Sequence, residues 1–367
     1  MNRILGQPRA IDVLQASLRS GRIHHAWIFS GPPGVGKFTT AVEFARILLA
    51  PDAGPNLSGM IEADPEGKTS RLIDAATHPD LHVVRKELAL YSENAELRRK
   101  KQTNIPIDLL RETMLGGKSG EKQLEAPAYR TPALGHGKVF IIDEAELIDT
   151  TGQNALLKTL EEPPKQTYLV LVTSRPDRLL PTILSRCQHV RFGTLDEEAM
   201  QQWWSQAGMK LTDAERDWIT RFSDGSPGQA VIASEYEMYQ WQLTIAPMLR
   251  EVEQGRYAAE LGETLASFVE DYAKRFVKQF NKEEGKDAAS KDIANKAGVR
   301  HVLNLLAQHA RQQLAQAGND SARIERALSM IDRIRDAETQ IHSNVNLKMV
   351  LENLSSQLTD GARTAVA

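Results

Sequence analysis

The chain has 367 residues, 41% of them hydrophobic and 25% charged, which suits a folded protein of two or three domains rather than one core. A formal net charge of −3 excludes whole-molecule attraction to a polyanion, so any nucleic-acid contact must be local or shared with other chains. The single cysteine, Cys187, excludes an internal disulfide or a zinc site of several thiolates, and no run approaches the ~18 apolar residues of a membrane span.

In chain order, Met1 to Gln7 lacks the apolar core of a signal peptide, so a cytoplasmic protein without membrane contact is expected. Residues 1 to about 192 alternate short apolar runs with helical patterns, the mark of strand–helix units and a parallel sheet. The clearest strands are Trp27–Phe29, Leu81–Val84, Val139–Ile142 and Tyr168–Val172; runs apolar on both faces fit a sheet covered by helices on both sides. Pro51 to Asp64, rich in Gly, Pro and Asp, reads as a loop or small insertion. Beyond Phe192 strand signals stop. A break at Ser223–Gly228 divides helices, a stripe at Ile324, Ala327, Leu328, Ile331 and Ile334 marks a long one, and Asn281 to Gly298 reads as a solvated loop or frayed helix.

Gly31-Pro32-Pro33-Gly34-Val35-Gly36-Lys37 lies between a strand and a helix. There, successive backbone amides and a helix N-terminus can cradle phosphates while Lys37 reaches the outer ones. The next position should be Ser or Thr, whose hydroxyl binds magnesium, and here it is Phe38. Thr39 follows, but neighbouring helical residues point roughly 100° apart, so it cannot replace the missing ligand without a shift of the helix start. Further on, an apolar strand delivers Asp143 and Glu144, which in such sites hold magnesium and orient the attacking water. The acidic half of an ATPase site is present and the hydroxyl half is damaged.

The run Asp143-Glu144-Ala145-Glu146, with Gln153 to Pro164, resembles the clamp-loader family of AAA+ proteins. Pro181-Thr182-Ile183-Leu184-Ser185-Arg186-Cys187 is similar to that family's Ser-Arg-Cys motif. The resemblance covers nearly the whole chain and is denser up to about residue 230. Leu5-Gly6-Gln7, His24 to Trp27 and His78 to Val84 resemble its non-motor, delta-prime branch. Ser343 to Leu347 resembles, more weakly, the start of a last collar helix. Residue by residue, the resemblance implies that Gly31, Pro32, Gly34, Val35, Gly36, Lys37, Thr39, Asp143 and Ser174 line a nucleotide site. Ser174 takes the place of a sensor of the terminal phosphate. It makes Glu144 a vestigial catalytic residue and Arg186 an arginine supplied in trans to a neighbour's ATP site. Gly228 falls where ATP-hydrolysing members carry an arginine, a second departure beside Phe38. Family members often insert a four-cysteine zinc module before the strand at Leu81, and this chain has no cysteine there.

The implied architecture is a RecA-like AAA+ α/β domain (1–192), a small helical lid (193–245) and a helical collar for oligomerisation (246–367). The implied partners are gamma/tau-like motor and delta-like subunits in a hetero-pentamer of the DNA polymerase III holoenzyme. Through them it would meet the sliding clamp and primer-template DNA during replication. ATP or ADP is implied without efficient turnover. No metal ligand is assigned, magnesium and zinc are not expected, and no polymerase active site is visible. Two rivals stay open: a motor-type ATPase acting through Lys37, Thr39, Asp143 and Glu144, and a ring-forming DNA remodeller of the branch-migration type.

Overall fold

A computed structural model describes residues 4–99, 102–284, 291–342 and 346–364. Five parallel strands form the main sheet: β1 (Ala26–Ser30), β2 (Leu81–Val84), β3 (Lys138–Ile142), β4 (Thr167–Thr173) and β5 (Gln188–Arg191). Their spatial order is β2-β3-β4-β1-β5. Every residue of β1 and β3 is buried, which is why Ala26–Phe29 and Val139–Ile142 within them read as unbroken apolar runs. Alternate side chains feed two separate cores. Trp27, Phe29, Val139, Ile141, Val170 and Val172 pack on one face with Leu14 and Phe44, while Ile28, Phe140, Ile142, Leu169 and Leu171 pack on the other with Leu109, Leu156 and Leu160.

The helices α1 (Pro8–Ser20), α2 (Lys37–Leu49) and α3 (Thr150–Glu161) supply those covers. Pro8 opens α1 and Gly21, at φ 64, ends it in the left-handed turn that glycine accepts without a steric cost. Asp149 caps α3 by accepting a 2.6 Å hydrogen bond from the Gly152 amide. The α2 N-terminus has no side-chain cap, so its first N–H groups are left for something other than this chain's side chains.

The sequence does not announce β5. Only Val190 of its four residues is buried, as befits an edge strand paired on one side, and a run with one apolar position carries no strand signature. Pro51–Asp64 contains a minimal antiparallel pair, Gly54–Pro55 with Ile61–Glu62, and a second pair joins Gly117–Ser119 to Lys122–Leu124.

After β5 the described chain is helical: α4 (Glu197–Ala207), α5 (Asp213–Ser223), α6 (Pro227–Glu235), α7 (Met238–Glu253), α8 (Leu261–Glu284), α9 (Lys291–Gln316), α10 (Ser321–His342) and α11 (Leu347–Thr364). The α/β-then-helical order is the one the sequence implies. Packing divides the chain into two units: one runs to Lys210 and takes in Ser223–Gln229, the other comprises Leu211–Phe222 and the chain from Ala230 onward. In the second unit α8 packs on α9 and α11, and α10 packs on α9 and α11. Stacking of Trp241 on Phe268 at 5.0 Å joins α7 to α8. Of the stripe on α10, Ala327 and Ile334 are buried and Leu328 is exposed. Parts of two sequence readings, the charged segment over 285–290 and the collar-like run at Ser343, Asn344 and Val345, lie outside the described residues.

Candidate nucleotide site

The phosphate loop is built as its glycines require. Gly31, Gly34 and Gly36 have φ of 151°, 77° and 94°, conformations that L side chains rarely adopt. A Cβ on Gly31 would lie 2.3 Å from the Phe192 carbonyl oxygen, and one on Gly34 would lie 2.5 Å from the Ser226 hydroxyl. The buried Gln7 side chain ties the loop down, donating to the carbonyls of Val35 and Gly193 and accepting from the Gly193 amide. Pro32 is exposed and Val35 is buried against the core.

Lys37 starts α2 and is almost fully buried. Its Nζ donates to the Gly31 carbonyl at 2.7 Å, to the Pro32 carbonyl and to the Ser174 hydroxyl at 3.1 Å. Burial lowers its pKa to about 8, against the opposing pull of Glu146 and Asp143. The structure thus brings Ser174, just after β4, to Lys37. Glu146, which sequence reasoning gave no role, accepts from the Ser174 amide through Oε1, while its Oε2 is buried without a hydrogen-bond partner.

The metal side of the site differs. Phe38 is half-buried, Thr39 is exposed, and the Thr40 hydroxyl donates to the Gly36 carbonyl within the helix. Arg85 lies over the Phe38 ring, its Cζ 4.2 Å from the centroid, and its Nε lies 3.4 Å from Asp143 Oδ2. Lys86 pairs with Glu144 and lies 3.5 Å from Glu87. Burial pushes the Asp143 pKa up and Arg85 offsets part of that rise; burial pulls Lys86 down, but Glu144 and Glu87 outweigh it and the net shift is upward. Glu144 itself has φ 52, strained for a residue with a Cβ, at the turn that leads out of β3. Sequence reasoning missed Arg85 and Lys86. Their signal is register: Val84 pairs with Ile142, so the next two residues of β2's chain fall beside Asp143 and Glu144.

Gly228 meets the loop by backbone. Its amide donates to the Gly34 carbonyl at 2.9 Å, and a Cβ there would lie 2.7 Å from Gly34 Cα. Ser226 joins the contact, donating to the Pro33 carbonyl at 2.9 Å.

These residues fit a phosphate tail and do not fit a magnesium ion. The uncapped α2 N-terminus, the glycine loop and Lys37 provide donors for phosphate. The two metal positions hold an apolar ring and a carboxylate already paired to a guanidinium.

Arg186 is elsewhere. It follows the short helix Pro181–Leu184, two residues before β5 begins with Gln188, which pairs with Trp27. Its guanidinium lies 2.8 Å from Glu161 and donates to the Thr182 carbonyl at 3.1 Å. It lines an open cleft of about 640 Å³ with His24, His25, Leu160, Glu161 and Cys187 among its neighbours. Burial pushes the Cys187 thiol up to about 12, so at neutral pH it is a packing group and not a nucleophile.

Comparison with known proteins came out as follows. The family model described as "DNA polymerase III, delta subunit" matches residues 6–196. The DNA polymerase III subunit delta' of Bacillus subtilis (strain 168) is 26% identical, with 97% of each chain covered. The subunit delta' of Escherichia coli (strain K12) is 30% identical over 65% of this chain and 63% of its own. The DNA polymerase III subunit gamma/tau of Mycobacterium tuberculosis (strain H37Rv) is 31% identical over 61% of this chain, which spans 34% of that longer protein.

Proposed function

The chain belongs to the DNA polymerase III delta-subunit family, and on that premise we propose that it is a non-motor, delta-prime-like subunit of a clamp loader whose Arg186 serves the ATP site of a neighbouring subunit. One observation supports the trans role above others. The phosphate loop follows the last residue of β1, whereas Arg186 lies in a cleft with His24 and His25, which precede the first. Five residues of strand, about 17 Å at ~3.3 Å each, separate the two ends. An arginine side chain cannot bridge that span, so Arg186 serves a phosphate of another chain or none. A planar guanidinium suits the charge that spreads over a transferring phosphoryl group.

On this reading the chain's own loop holds ATP or ADP without efficient turnover. The loop amides, the α2 N-terminus and Lys37 grip the phosphates, and Ser174 stands beside Lys37. A bound nucleotide would bring negative charge to a site where Lys37 now spends its hydrogen bonds on the loop itself. Residues 193–245 act as a lid and 246–367 as the collar that joins gamma/tau-like and delta-like subunits in a hetero-pentamer. Sliding clamp and primer-template DNA are met through that complex.

A second reading, a motor-type ATPase, is favoured by the Lys37–Ser174 contact and by the similarity to gamma/tau. Steady-state ATPase separates the two. The isolated chain is expected to be inactive, and in the reconstituted loader with clamp and primed DNA, Arg186→Ala should lower the rate at least about tenfold while Glu144→Gln leaves it unchanged. Full activity of the Arg186→Ala complex would end the trans-finger reading; Lys37-dependent hydrolysis by the chain alone would establish the motor reading.

A further inference from the structure

Two positions hold the metal in a phosphate loop of this kind: the residue after the lysine and the acid at the end of the neighbouring strand. In this chain they are Phe38 and Asp143, and one side chain joins them. Arg85 lays its guanidinium over the ring of the first, 4.2 Å from its centroid, and approaches the carboxylate of the second at 3.4 Å. We propose that Arg85 is a tethered cation in the place of magnesium, making the phosphate loop of this chain metal-independent by construction.

The arrangement is coherent on both sides of the ion. An aromatic ring offers no lone pair to a hard cation, which demands oxygen, but its negative face attracts a guanidinium. Phe38 is therefore an unsuitable ligand for magnesium and a suitable platform for Arg85. The parallel register sets it up. Val84 and Ile142 are partners, the Asp143 amide donates to the Val84 carbonyl at 3.0 Å, and the residue after Val84 must emerge beside Asp143. The same register places Lys86 against Glu144, so the carboxylate that would orient an attacking water is also paired within the chain. Both acids of the motif are neutralised from one dipeptide. A nucleoside polyphosphate held here meets fixed positive charge from Lys37 on one side and Arg85 on the other, with no exchangeable ion.

This inference rests on reading the loop as a nucleotide site and is independent of Arg186 and of any partner chain. The test uses Mn2+ as the probe, its free concentration followed by electron paramagnetic resonance, on the full chain with and without ADP. Wild type and Asp143→Asn are expected to take up Mn2+ identically. Phe38→Thr alone, which restores the hydroxyl, should leave uptake unchanged, whereas Phe38→Thr with Arg85→Met should create an Asp143-dependent site at least tenfold tighter. A wild-type Mn2+ site that Asp143→Asn removes overturns the proposal. So does a full gain from Phe38→Thr alone, or no gain from the double variant. Should the double variant fail to fold, the comparison of wild type with Asp143→Asn still decides. Failure here leaves the Arg186 assay untouched, and failure there leaves this one standing.

Discussion

Lys37 shows how a motif residue can be legible in sequence while its state is not. The Gly-rich strand-to-helix turn identifies it, but only the structure reveals that its ammonium is buried and bonded to the loop's own carbonyls. With its pKa lowered to about 8, folding demands release of a proton that the unfolded chain keeps until about pH 10.5. Between those values the unfolded state binds more protons, so stability should rise with pH; below about 8 this residue adds no slope. Lys37→Met should flatten that rise, measured as the difference between variant and wild-type urea midpoints across pH 7.5 to 10.5. Equal slopes for the two proteins would show that the lysine is not desolvated. Arg85 and Lys86 illustrate the converse: no local pattern in the sequence marks them, because their role depends on which strand lies beside theirs.

Among elements, legibility followed burial. The four strands flanked by other strands or rich in apolar residues were all visible, with boundaries within a residue of those observed, because burial on both faces imposes a continuous apolar run. The edge strand β5 and the two short antiparallel pairs escaped notice, since few of their side chains are buried and no apolar run marks them. The turn between α5 and α6 was legible as a break, and Gly228, in the first turn of α6, has a purpose the sequence could not disclose. The sequence resemblance sets Gly228 where hydrolysing members would carry an arginine; its backbone lies against Gly34, where a Cβ would come within 2.7 Å of backbone. Gly228→Ala should therefore destabilise the protein by about 1–3 kcal/mol through overpacking, read from equilibrium urea unfolding. An unchanged midpoint would mean that the turn yields freely. Introducing arginine at this position should disturb the loop and not restore a sensor.

At the scale of the whole molecule, the division into an α/β part and a helical part was readable from the point at which strand signals cease, whereas the packing of the helices was not. Long helices expose more than one apolar stripe, and period alone does not say which one is covered: on α10, Ala327 is buried and its neighbour Leu328 is 48% exposed. The helical part also contains an acid-sensitive group. His301 on α9 is buried with its ring 5.1 Å from that of Tyr272 on α8, and burial lowers its pKa to about 4. As pH falls from about 6.5 towards 4 the unfolded chain takes up a proton that the folded chain refuses, so stability is lost over that window. His301→Leu should make the stability of this part less sensitive to acid between those values, with the largest difference from wild type near pH 4. Parallel pH curves for the two proteins would refute it.

The two ends of β1 have a further consequence, one of polarity. On the proposed reading, a surface that offers a finger and one that receives it would lie at opposite ends of the same strand, so a subunit using both would join its neighbours head to tail, in a row with a direction. In this chain the giving end presents Arg186, while the receiving end has its acids already answered from within by Arg85 and Lys86. On that reading the chain suits the end of such a row and not its interior.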